Sequence, residues 1–202
     1  MLGDLPTLRL VEVFESLQGE GAHAGTPAVF VRFSKCSAQC VWCDTPYEEV
    51  NDVMSPAGFL NLCLAFKSRY VIFTGGEPSL QLTEDIVTGF RRAGFTTAIE
   101  TNGAHDISAL GLDWITVSPK MHVEGGTKRW VQRAGHELKV VCDSGTDFSE
   151  VMSYAALGAF GLKYVSPEWE SRDTLLPRCI AFCLENPSWK LTLQNHKWWS
   201  IR

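Results

Sequence analysis

The sequence predicts an α/β protein built as an incomplete, parallel β/α barrel with reduced helix content. Three observations carry this expectation. Apolar runs with strand character alternate with helical runs along the chain, the pattern of βα units on a parallel sheet. Unusual polar sequences follow the strand-like runs one after another, and parallel sheets gather functional residues past those strand ends. Several connections, Gly103 to Trp114 and Gly126 to Glu137 among them, are too short for full helices, and 202 residues are few for a complete (β/α)8 barrel.

In order, Leu8 to Phe14 alternates partially and reads as a strand. Gly19 to Pro27 is glycine-rich and reads as a loop, and Ala28 to Phe33 as a second strand. Residues 56–69 show helical periodicity through Leu60, Leu62, Leu64 and Phe66. Tyr70-Val-Ile-Phe is a buried strand ending at Thr74-Gly-Gly-Glu-Pro. Leu82 to Ala93 is an amphipathic helix closed by Gly94, a residue suited to the position after a helix end. Strands follow at Thr96 to Glu100, Trp114 to Val117 and Glu137 to Val141. Phe148 to Leu157 is a helix, Gly161 to Val165 a strand, Leu175 to Asn186 a helix and Lys190 to Gln194 a last strand. No repeat or linker interrupts this order, so residues 1–202 are expected to form one domain.

Composition narrows the function classes. With 45% hydrophobic and 20% charged residues the chain is an ordinary globular one, not a disordered or collagen-like one. A net charge of −5 disfavours a broad nucleic-acid or anionic-membrane surface. No apolar run is long enough to span a membrane, and the opening Met1-Leu-Gly-Asp-Leu-Pro lacks the apolar core of a signal peptide. Seven cysteines, an odd number, argue against a disulfide framework and for a reducing, cytoplasmic setting.

Three of those cysteines, Cys36, Cys40 and Cys43, crowd into the loop after the second strand. Thiolates at this spacing can converge on one soft metal centre. Zinc would need a fourth ligand, which His23 or a later histidine would have to supply, since no second Cys-x2-Cys pair follows. An iron–sulfur cubane on three cysteines would keep one iron open to a cofactor or substrate. Cys179 and Cys183, four apart on a helix, read as packed thiols.

The Cys36-x3-Cys40-x2-Cys43 motif, with Trp42 before its last cysteine, resembles the signature of the radical S-adenosylmethionine superfamily. Thr74-Gly-Gly-Glu-Pro resembles that superfamily's Gly-Gly-Glu-Pro. The resemblance implies a barrel of the radical S-adenosylmethionine type. It also implies a [4Fe–4S] cluster on the three cysteines, whose open iron chelates S-adenosylmethionine and whose electron yields a 5′-deoxyadenosyl radical. Glu77 would then face the methionine ammonium, with Gly76 beside it.

A narrower resemblance covers almost the whole chain. Phe14 to Gly21, Gly25 to Arg32, Cys43-Asp-Thr45, Glu100-Thr-Asn-Gly, Val117-Ser-Pro-Lys and Leu193-Gln-Asn-His-Lys are similar to the 7-carboxy-7-deazaguanine synthase family. That family is a carbon–nitrogen lyase. It contracts 6-carboxy-5,6,7,8-tetrahydropterin to 7-carboxy-7-deazaguanine with loss of ammonia, on the route to queuosine and other 7-deazapurines. The resemblance implies a homodimer, assistance by Mg2+, and a flavodoxin- or ferredoxin-type reductant. Carried over by position, Trp42, Asp44, Gly76, Glu77, Ser118, Pro119 and Lys120 would bind S-adenosylmethionine. Thr45 would be the Mg2+ ligand, as an oxygen donor suits that hard cation. Leu17, Gln18, Gly19, Glu20, Arg32, Thr74, His196, Lys197 and Arg202 would form the pterin site. Arg32 suits the substrate carboxylate, with a pairing to Glu12 or Glu20 as the alternative.

The chain departs from the family at residues 164–170, where relatives often carry Gln-Pro, and at Asn195, which stands in place of a threonine. Glycyl-radical-activating enzymes share the cysteine spacing, but the Leu17-to-Gly21 loop and Asp44-Thr45 argue against that reading. A non-enzymatic metal-binding module is the remaining alternative.

Overall fold

The computed structural model describes residue 2 and residues 5–202. Residues 1, 3 and 4, on which the reading of the opening segment partly rests, lie outside the described residues. The strands are β1 (Leu8–Leu17), β2 (Pro27–Phe33), β3 (Asp52–Met54), β4 (Tyr70–Gly75), β5 (Thr96–Thr101), β6 (Trp114–Val117), β7 (Ala134–Cys142), β8 (Ala159–Pro167) and β9 (Lys190–Leu191). They form one sheet in the order β3-β1-β2-β4-β5-β6-β7-β8-β9. The helices are α1 (Pro56–Leu64), α2 (Glu84–Arg92), α3 (Phe148–Leu157), α4 (Arg172–Glu185) and α5 (Asn195–Trp198). Among the described residues no helix is long and apolar enough to cross a membrane.

From β2 to β9 every pairing is parallel, as expected. The beginning differs: β1 runs antiparallel to both β2 and β3. The loop from 18 to 26 is too short for the crossover that parallel strands need, so the chain returns as a hairpin. Strand β3, which the sequence reading missed, is a short edge too brief to show periodicity. At the other end the last strand stops at Leu191, because the chain leaves the sheet and Asn195 donates its N–H to the Gly19 carbonyl at 3.1 Å. Helix α1 ends at Leu64, and the residues read as its last turn fold back, with the Ser68 hydroxyl donating to the Pro27 carbonyl at 2.9 Å. Helix α4 begins at Arg172, so Pro177 lies inside it. Gly94 takes φ +87 after α2, the left-handed position read from the sequence.

Side chains alternate across the strands. One face meets the helices in two separate apolar clusters. Phe33, Phe59, Phe73 and Phe90 centre the first, between β1–β5 and helices α1 and α2. Leu138, Val140, Val151, Tyr154 and Phe182 belong to the second, against α3 and α4. Ile115 packs against both. The opposite face is apolar only near its base, at Phe14, Ala28, Phe30, Ile72 and Ala98. Beyond these it turns polar, with Arg32, Thr74, Glu100 and Lys139 at the same strand parity.

Phe73 lies between the rings of Phe33, Phe59 and Phe90, with centroids 6.3, 6.4 and 5.4 Å away. Phe73→Ala is expected to cost about 3–5 kcal/mol. Urea unfolding followed by circular dichroism measures it, and a loss under about 1 kcal/mol would contradict this account of the first cluster.

Candidate active site

The cysteine loop is fastened at its base, middle and tip. At the base Ser34 donates to the Arg9 carbonyl at 3.0 Å, and Lys35 turns the chain at φ +68. The loop after β4 then continues the parallel pairing: Gly76 N–H reaches the Phe33 carbonyl and Glu77 N–H the Lys35 carbonyl, both at 2.8 Å. A Cβ on Gly76 would run into that Lys35 carbonyl, so only glycine fits there. In the middle the Asn102 amide donates to the Ser37 hydroxyl at 2.9 Å. At the tip Gln39 N–H reaches the Gly125 carbonyl at 2.7 Å, and the Trp42 indole donates to Asp143 at 3.1 Å.

Cys36, Cys40 and Cys43 all line one cavity of about 210 Å³ above the polar strand ends. Burial pushes the Cys36 thiol up to about 11, with Ala38 N–H opposing and Glu77 adding to the rise. Burial also raises Cys40 and Cys43. These are half-buried thiols that a metal's charge would deprotonate on binding. Among the described residues no three His, Cys, Asp or Glu side chains are gathered closely enough to hold a single ion. In a cubane each cysteine takes a different iron, so the donor set fits a [4Fe–4S] group.

The same cavity takes in most of the residues expected to bind cofactor and substrate. Of the residues expected to bind cofactor and magnesium, Trp42, Asp44, Thr45, Gly76, Ser118 and Lys120 line it, as does Thr74. Leu17, Gln18, Gly19, Glu20, Arg32, His196, Lys197 and Arg202, expected at the substrate, line it too. Two residues are not among the lining. Pro119 sits between Ser118 and Lys120, whose ammonium donates back to the Ser118 carbonyl at 3.0 Å. Glu77, read as the acid facing an ammonium, is fully buried and turned away. Its carboxylate accepts from the Thr101 hydroxyl at 2.7 Å, Asn102 N–H at 2.8 Å and Ser79 N–H at 3.1 Å. Through these bonds it ties the end of β4 to the end of β5.

Arg32 meets the alternative weighed for it while still lining the cavity. Its guanidinium lies 3.1 Å from Glu12 and donates to the Thr45 hydroxyl at 2.8 Å. The segment after β9 closes the wall through polar contacts. Lys197 pairs with Asp44 at 2.8 Å, Gln194 donates to Glu20 at 3.2 Å, and the Arg202 guanidinium meets Glu12. Burial alone would raise the Asp44 carboxyl, but Lys197 holds it below its ordinary value. Burial lowers His196, which packs so closely on Gly19 that a Cβ there would strike the imidazole.

The sequence reading missed part of the site. Lys139 stands on the cavity floor between Glu20, at 2.8 Å, and Glu100, at 2.9 Å. Gln18 donates to the other Glu100 oxygen at 2.8 Å. Trp169, inside the segment that departs from the family pattern, lines the cavity with the Arg172 guanidinium 4.1 Å from its ring centre. The signal for Lys139 was present: it alternates with Leu138 and Val140, and so marks the polar face of a strand.

This fold and this loop belong to a recognisable class. The radical SAM superfamily model matches residues 30–154, and the chain belongs to that superfamily. Within it the chain is a member of the 7-carboxy-7-deazaguanine synthase family. The enzyme of that name from Haemophilus influenzae is 38% identical over 204 residues, covering 95% of this chain and 93% of the relative. That from Bordetella pertussis is 36% identical, covering 94% of this chain and 97% of the relative. The crystal structure of QueE from Escherichia coli matches with a TM-score of 0.75 at 26% identity, covering 93% of each chain.

Burial alone would raise Glu100, but the Lys139 ammonium and hydrogen bonds from Lys139 and Gln18 bring it below its ordinary 4.5. Burial opposes charge on Lys139 as well, and the Glu100 and Glu20 carboxylates override it to push the group up from 10.5. The stability Glu100 contributes is therefore present above pH 4.5 and lost as pH falls through its folded value. That of Lys139 is complete below pH 10.5 and lost as pH rises through its folded value. Glu100→Gln is expected to melt below the wild type at pH 7, the gap closing under about pH 4. Thermal melts of both proteins across that range check it, and a pH-independent gap would contradict it.

Proposed function

We propose that this chain is a radical lyase that converts 6-carboxy-5,6,7,8-tetrahydropterin to 7-carboxy-7-deazaguanine with loss of ammonia, in 7-deazapurine biosynthesis. The observation that carries the reading is the single cavity shared by three cluster cysteines and a polar wall able to hold a flat, carboxylated heterocycle. The named relatives support the same activity.

When bound, the cluster and S-adenosylmethionine supply the carbon radical that starts the reaction. The protein's own residues bind, orient and exclude water. Cys36, Cys40 and Cys43 would hold the cluster. Trp42, Asp44, Gly76, Ser118 and Lys120 would seat S-adenosylmethionine beside it, with Gly76 giving the backbone room to approach. Leu17, Gln18, Gly19, Glu20 and Thr74 would hold the pterin, and the Arg32 guanidinium would meet its carboxylate by exchanging part of its contact with Glu12. Thr45 would offer its hydroxyl oxygen to Mg2+. His196, Lys197 and Arg202 would close the wall, which matters because a radical reacts with whatever is near it. In this reading residues 1–202 act as one domain, as a cytoplasmic homodimer served by a flavodoxin- or ferredoxin-type reductant.

Anaerobic reconstitution should load about four irons per chain. Incubation with S-adenosylmethionine, a reductant, Mg2+ and the carboxytetrahydropterin should then give a product lighter by ammonia in mass spectrometry. A loaded protein that leaves the pterin unchanged would refute the function. Thr45→Ala should keep the cluster's absorption and lose stimulation by Mg2+; unchanged Mg2+ dependence would remove Thr45 from that role.

A further inference from the structure

Lys139 lies outside every role assigned so far, yet it is the most enclosed cation of the cavity floor. Its side chain is 6% exposed. Its ammonium joins Glu20, from the loop after β1, to Glu100 on β5. The ring closes on the far side, where Gln18 donates its amide N–H to Glu100 at 2.8 Å and accepts the Glu20 N–H at 3.1 Å. Glu20 and Glu100 remain 13% and 23% exposed, and both line the cavity. The other charged or titratable groups acting on this ring are Glu137, on the same strand, which is buried and accepts Ala22 N–H at 3.1 Å, and Lys120, Arg32 and His196, which line the same cavity.

Two carboxylates this close repel each other, and without a cation one would take up a proton and become a donor. With the ammonium between them both stay acceptors. A pair of ionised acceptors, neither able to donate, matches a ring edge that presents only N–H groups. The pyrimidine half of the pterin, with its exocyclic amino group and neighbouring ring N–H, has such an edge.

We propose that Lys139 is a positioning residue that holds Glu20 and Glu100 side by side as a paired acceptor edge for the amino-pyrimidine half of the substrate. The assignment rests on the pterin reading above, and adds to it the device that discriminates among rings. A ring with an oxo group in place of the amino group would bring a carbonyl oxygen against a carboxylate, an unpaired contact that such a site rejects.

The test compares the pterin with its 2-oxo counterpart on reconstituted holoenzyme. Wild type should prefer the amino ring by about tenfold or more in kcat/KM. Lys139→Met should raise the pterin KM about tenfold, with a smaller change in kcat, and should erase most of the preference. The cluster's absorption and the slow reductive cleavage of S-adenosylmethionine without pterin should persist, since neither uses this edge. Lys139→Arg, which keeps the charge, should recover part of the preference. If Lys139→Met does not fold, Glu100→Gln carries the same test, because its amide turns one acceptor into a donor. A wild type that converts the pterin without preferring it, or a Lys139→Met enzyme with unchanged KM and preference, overturns the positioning role alone. A wild type inert toward the pterin overturns the function with it.

Discussion

The end of β2 and the end of β4 are bound to each other past the last sheet residue, and the site depends on that extension. Gly76 and Glu77 donate to the carbonyls of Phe33 and Lys35, so the cysteine loop and the Gly-Gly loop leave the sheet as one unit. The absence of a side chain at Gly76 makes the approach possible. Glu77 then extends the fastening to β5 through its bonds to Thr101 and Asn102, and Asn102 reaches back to Ser37 in the cysteine loop. Three strand ends are thus locked by side chains whose polar groups are consumed in doing so. Thiols positioned this way need little further ordering when metal arrives, which lowers the entropy cost of assembling the centre.

Within the barrel the arrangement is different in kind. Lys139, Glu20, Glu100 and Gln18 form a closed polar ring rather than a packed apolar layer. Hydrophobic residues of similar volume often stabilise a fold as well as a buried charge group does. A ring of this sort at the floor of a cavity therefore points to recognition more than to stability. The apolar base beneath it, Phe14, Phe30, Ile72 and Ala98, supplies the rigid seat that such recognition needs.

Much of this was legible in the residues. Helix α3 and strand β6 fall where periodicity puts them, and most of the polar sequences at the strand ends open into one cavity because the sheet from β2 onward is parallel. What escaped did so for physical reasons. The antiparallel hairpin of β1 and β2 is a matter of loop length, which the apolar pattern does not report. Charged residues alternating with apolar ones on β7 look like a solvated face, and the carboxylates that enclose Lys139 come from residues 20 and 100, far from it in sequence. The fastening that Glu77 makes was equally hidden. Its three donors come from residues 79, 101 and 102, a convergence that spacing along the chain does not reveal.

The division of the apolar core has a consequence for how the molecule holds itself together. One cluster rests on α1 and α2, the other on α3 and α4, with Ile115 touching both. The cysteine loop springs from the first half, while Lys139 and the Asp143 that grips Trp42 belong to the second. The cavity is therefore the seam of a two-part arch. Ligands filling it would act as a keystone, loading both halves at once, and binding energy spent there would be returned as stability of the whole span.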